Sequence, residues 1–190
     1  MRRANVLILA AAVIAAIQIG FLAWSISTRA AVLRDGREIL LKVEPIDPRD
    51  LLRGDYVILN YEASNLPKEA FVSSQAVAKP IDHVVWVQLR KGADGIFQPA
   101  SFSYDRNALA QAGADDVIVR AKSVYTSPGQ SARVNYGLER FYLPEGTGRQ
   151  IEKDMRERPF FVVAAVAQDG TAQIKSFRDG ETVLFEEPYY

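Results

Sequence analysis

From Ala4 to Thr28 the chain carries no charged residue, a run of 25 positions. Its centre, Val6–Trp24, is built from Ala, Ile, Leu and Val, with Gln18 the one strongly polar side chain. At a rise of roughly 1.5 Å per residue, a helix of this length exceeds the ~30 Å hydrocarbon core of a bilayer. The sequence therefore predicts one N-terminal transmembrane helix within residues 1–28. Trp24 falls near the end of the run, where aromatic side chains meet the headgroup layer. Arg2 and Arg3 also resemble the basic start of a cleaved signal peptide. The apolar run is longer than the ~7–15 residues usual for such a peptide, and no A-x-A site follows it. An uncleaved anchor is the better reading. Basic residues flank the run almost evenly, Arg2 and Arg3 before it and Arg29, Arg34, Arg37 and Lys42 after it. The short basic tail resembles a signal-anchor start, so the N-terminus is expected inside and the bulk of the chain outside the cytoplasm.

Residues 29–36 read as a tether and 37–190 as the domain that it carries. The 162 residues from Arg29 onward hold 21 basic and 23 acidic side chains, a formal charge of −2. That length suffices for a buried core. The balance offers no basic excess for nucleic acid and none for laying the whole domain on anionic lipid. With no Cys, disulfides, thiolate nucleophiles and Cys-based metal sites are excluded. A single His leaves no His pair for a metal centre. No cofactor and no metal are expected.

Alternating apolar residues dominate the domain and predict strands. The segments are Arg37–Glu44, Tyr56–Glu62, Val84–Arg90, Ile96–Tyr104, Val117–Tyr125, Ala132–Leu143, Phe160–Ala167, Thr171–Phe177 and Glu181–Phe185. Lys91–Gly95, Gln168-Asp169-Gly170 and Asp179-Gly180 read as hairpin turns. Arg106–Ala112 and Arg149–Glu157 read as short helices. The predicted architecture is mainly β, an antiparallel barrel or sandwich of about eight or nine strands.

One stretch is punctuated more densely than the rest. In Asp47–Tyr56, Asp47 suits a helix cap, Pro48 the first helical position and Gly54 a left-handed stop. A stiff helix-to-strand corner accounts for every residue. A docking surface formed by Arg49, Arg53, Asp55 and Tyr56 is the sharper alternative. In the strand that follows, Val57, Leu59 and Tyr61 share one face, so Tyr61 is expected in the core with its hydroxyl satisfied. A second cluster, Tyr136 to Gly146, gathers Glu139, Arg140 and Glu145 among aromatic residues, with a Pro/Gly turn as its structural explanation.

Gly54-Asp55-Tyr56-Val57-Ile58-Leu59-Asn60-Tyr61 agrees at every fixed position with the motif of the GDYXXLXY family, and the chain resembles that family of membrane-anchored bacterial proteins. Pro45–Asp50 and Tyr136–Gly146 resemble it too. The resemblance implies a place in the bacterial inner membrane with a periplasmic domain, and a multi-pass membrane protein as partner. It implies no catalytic residue, because the family has no established biochemical activity.

Catalytic patterns are sparse. His83 stands at a strand start with no G-x-S-x-G elbow to serve. Asp115-Asp116 and Glu186-Glu187 are adjacent pairs, which point to opposite faces of a strand and read as solvated charge. The layout of an anchor followed by a β domain is similar to that of type I signal peptidases, although Ser27 lacks their Met-Pro sequel. A membrane-bound Ser/Lys hydrolase is thus the rival to a non-catalytic, partner-binding domain. It would need Ser64, Ser73, Ser74 or Ser101 within hydrogen-bond reach of Lys42, Lys68 or Lys79.

Overall fold

The computed structural model describes residues 2–44, 56–72, 83–109, 113–125, 131–142, 151, 154–155 and 157–188. Helix α1 (Arg2–Asp35) is continuous for 34 residues, about 51 Å at the standard rise. Its length and composition suffice to cross a membrane. Leu9, Ile14 and Phe21 are all exposed, so the helix is apolar around its circumference and uncovered. Residues 29–35, read as a tether, are helical, and Val32 and Leu33 are buried against the domain. The Gly36 amide closes the last turn on the Val32 carbonyl at 2.9 Å.

Among the described residues twelve strands follow: β1 (Arg37–Glu44), β2 (Tyr56–Ile58), β3 (Asn60–Tyr61), β4 (Asn65–Leu66), β5 (Val84–Lys91), β6 (Phe97–Ser103), β7 (Asp116–Tyr125), β8 (Ala132–Asn135), β9 (Arg140–Tyr142), β10 (Phe160–Val166), β11 (Ala172–Asp179) and β12 (Thr182–Glu186). One sheet has the order β12-β11-β10-β1-β3 and a second β4-β8-β7-β5-β6, while β2 and β9 form a separate pair. All these pairings are antiparallel. The arrangement is sandwich-like; among the described residues no sheet closes into a barrel. The expected strands are recovered, and the count rises because two-residue strands and interruptions divide the longer segments. Ala132–Leu143 is one such correction. It splits into β8 and β9 because Gly137 adopts φ +82°, a left-handed turn that a continuous strand cannot contain. Arg106–Leu109 is a 3-10 turn, and the remainder of the helix expected to reach Ala112 lies outside the described residues.

The pairing registers explain the core. Ile39 and Leu41 lie opposite Ala164 and Val162, and Val85, Val87 and Leu89 lie opposite Ala121, Val119 and Val117. Every one of these side chains is buried, and both sheets contribute to one apolar cluster. Arg120 and Lys122, the alternating positions of β7, face solvent as their polarity requires. The sheets are also joined directly. Leu40 bridges to Ile96, and the Arg37 guanidinium reaches the Asp116 carbonyl at 3.1 Å and that of Ala114. The β10–β11 turn lies so close to β7 that a Cβ on Gly170 would stand 2.8 Å from the Trp86 ring and 3.0 Å from the Arg120 amide. Gly170 also has φ +81°, so both space and backbone call for glycine there.

Candidate functional site

The two stretches singled out in the sequence meet in space. β2 pairs with β9, placing Tyr56 opposite Tyr142, Val57 opposite Phe141 and Ile58 opposite Arg140. The Leu59 amide extends this ladder by donating to the Glu139 carbonyl at 2.8 Å. Val57, Leu59 and Tyr61 are buried, as their alternation predicts. Behind the ladder, two tyrosines form a reciprocal clasp. The Tyr61 hydroxyl donates to the Leu138 carbonyl at 2.6 Å, and the Tyr136 hydroxyl donates to the Ala63 carbonyl at 2.5 Å. Each phenol thus reaches the residue two places beyond the other tyrosine. Burial pushes both phenols above the usual tyrosine range, with the Glu139 charge adding to it, so both remain protonated donors.

Glu139 holds the turn between β8 and β9. Its carboxylate accepts from the Tyr136 amide at 2.5 Å and from the Gly137 amide at 3.0 Å. The side chain is partly buried, and desolvation raises its pKa, while the backbone amides around it pull the other way. This anion-binding curl of amides is therefore filled by the protein's own carboxylate. Arg140, one residue on, is exposed, and Tyr142 is 71% exposed.

That exposed end of β9 faces α1. A groove of about 690 Å³ runs between them, walled by Trp24, Ile26 and Arg29 of the helix and by Arg140, Tyr142 and Ile174 of the domain. The sequence marks Arg140 and Trp24 separately. Their apposition depends on the packing of Val32 and Leu33, for which no local pattern exists.

A second polar cluster lies in the other sheet and corrects the reading of Asp116 as solvated. Asp116 is buried and accepts from Arg90 at 2.8 and 3.0 Å, from Gln88 at 2.7 Å and from the Gly113 amide at 3.1 Å. The Arg90 hydrogen bonds hold its pKa down at about 2. The register explains the difference: Asp116 lies opposite Arg90 at the end of the β5–β7 ladder. Asp115 is exposed, as are Glu186 and Glu187.

Of the positions marked in the sequence, Leu59 and Tyr61 belong to the core, Glu139 to the turn and Arg140 to the surface. Only the backbone pairing of Tyr56 is described. Arg49, Arg53, Gly54, Asp55 and Glu145 lie outside the described residues, as do Ser73, Ser74 and Lys79. Lys42 pairs with Glu62 at 2.5 Å, Lys68 is exposed beside Glu69, and the Ser101 hydroxyl donates to Gln88 at 2.7 Å. Among the described residues no lysine is buried, whereas a Ser/Lys dyad needs a buried lysine amine. The His83 amide donates to the Ser123 hydroxyl at 3.2 Å, within the sheet. No group of acidic and His residues able to hold a metal occurs among the described residues.

An apolar N-terminal helix packed on a mainly β, sandwich-like domain, with two sequence motifs zipped into one ladder, defines the class of molecule. The model of the GDYXXLXY protein family matches residues 18–177, and the chain belongs to that family. No curated protein and no solved structure matches it.

Proposed function

We propose that the chain is a single-pass membrane protein whose β domain binds a partner protein at the bacterial envelope without catalysing a reaction. Residues 1–28 supply the tail and span, 29–36 lead out of the membrane, and 37–190 form the extracytoplasmic domain. The observation that carries this reading is α1 itself. It is bare and apolar on every side through the span, yet Val32 and Leu33 of its last turn are buried against the domain. A helix of that kind is stable in lipid, and cleavage near Thr28 would cut it in mid-course. The short basic tail supports an N-in orientation in the inner membrane, with the domain periplasmic. Balanced charge fits a protein partner rather than nucleic acid.

Docking is assigned to Arg49, Arg53, Asp55 and Tyr56, the last of which pairs opposite Tyr142 in the motif ladder. A multi-pass membrane protein is the natural partner for a domain carried on a candidate span of its own. Crosslinking in native membranes, followed by purification in mild detergent, tests the assignment. A partner should co-purify with the wild type and be lost from Arg53→Ala/Asp55→Ala while the melting temperature holds. Recovery of monomer alone would count against partner binding. A reporter fused after Tyr190 should be active outside the cytoplasm.

A further inference from the structure

We propose that the groove at the foot of α1 holds the phosphate headgroup of an anionic phospholipid drawn from the leaflet around the helix. The inference rests on the membrane-anchored reading, which fixes the depth of the groove. The uncharged run ends at Thr28, so the groove begins where hydrocarbon gives way to headgroups. Trp24 to Arg29 rises about 7.5 Å along the helix, close to the thickness of one headgroup layer. The volume of about 690 Å³ admits a glycerophosphate headgroup.

The lining has the chemistry to select one. Arg29 is exposed and has no hydrogen-bond or ion-pair partner among the described residues. Arg140 lines the same groove from the domain side, and Glu187 is the single acidic residue among the described lining, so the site is net positive. Guanidinium forks match phosphate oxygens in pairs, and two such forks from separate elements can bracket one phosphate. Trp24 and Tyr142 supply the amphipathic rings typical of the headgroup level. The acyl chains would then continue down the exposed face of α1 past Leu22. A partner's transmembrane helix suits the groove less well, because helix contacts in lipid favour small residues rather than two arginines. The near-neutral charge of the domain is no obstacle, since recognition here is local.

The test uses the full chain reconstituted into vesicles of equimolar phosphatidylglycerol and phosphatidylcholine. Flotation reports insertion, and native mass spectrometry after extraction reports the retained lipid. The wild type should float and retain phosphatidylglycerol preferentially. Arg29→Gln/Arg140→Gln should float equally and lose roughly thirtyfold of that preference, about 2 kcal/mol for two interfacial arginines. Arg34→Gln, which lies outside the groove beside Asp35, should keep it. Equal retention of the two lipids, or an unchanged preference in the double variant, would overturn the proposal while leaving the anchor standing. Failure to float would instead overturn the anchor, and the lipid site with it. A photo-crosslinker at Ile174 that captures a protein helix and no lipid would assign the groove to a partner.

Discussion

The tyrosine clasp and the Asp116 cluster solve the same problem, joining distant segments inside one core, by opposite means. Tyr61 and Tyr136 use neutral hydroxyls against backbone carbonyls, with no ionised group needed. Asp116 uses a buried carboxylate held by an exposed guanidinium, an amide side chain and a backbone amide. The first kind of join is insensitive to salt and acid. The second depends on a charge, and an ion pair with one exposed partner is worth less than its geometry suggests. The tyrosine clasp is therefore the permanent join and the Asp116 cluster the responsive one.

The comparison breaks most visibly at Tyr61. Replacing it with Ala empties a fully buried site and removes one arm of the clasp, at a cost of about 4 kcal/mol in a denaturant titration of the full chain in detergent. Asp116→Ala should cost about 2–3 kcal/mol, since the buried Gln88 amide loses its acceptor. Arg90→Gln should cost less than 1 kcal/mol, because that side chain is 62% exposed. About 1 kcal/mol each is expected for Tyr61→Phe and Tyr136→Phe, which keep the packing and lose one hydrogen bond. Their double variant should fall short of the sum by about 0.5 kcal/mol, as one clasp shared by two arms requires. Strict additivity would mean two independent bonds.

The two pH effects have opposite signs. Asp116 is depressed to about 2 from its ordinary 3.8, so its contribution is present above pH 3.8 and fades as the pH falls through 2. Glu139 is raised above 4.5 by desolvation, so stability is greatest below that value and declines as the pH rises through the folded-state pKa. Thermal melts of Asp116→Asn should lose the acid-side slope, and those of Glu139→Gln the slope above 4.5.

Sequence periodicity reveals most of this fold because the strands are long and their faces differ. Val57, Leu59 and Tyr61 could be placed in the core, and the Asp-Gly turns could be placed between strands, from local chemistry alone. Gly137 could not be recognised as a break, since an isolated glycine within an apolar run is equally compatible with a bulge or a plain strand. Asp116 was misread because its environment is set by register with β5, 26 positions away. The clasp was half legible: the satisfied hydroxyl of Tyr61 follows from burial, whereas its reciprocity with Tyr136 depends on long-range pairing. The groove is the least legible feature, for it exists only where a helix and a sheet approach.

The burial of Val32 and Leu33 makes α1 a stiff post under the domain rather than a string. With Val32 and Leu33 held in the domain and Gly36 closing the helix, no swivel separates the span from the first strand. A helix longer than the local hydrocarbon thickness tilts to hide its excess. Under the proposed membrane-anchored reading, that tilt would be handed on to the whole sandwich, so a thinner bilayer would lean every domain over and a thicker one would stand it up. On that reading, membrane thickness would set the angle at which the motif ladder meets its neighbours.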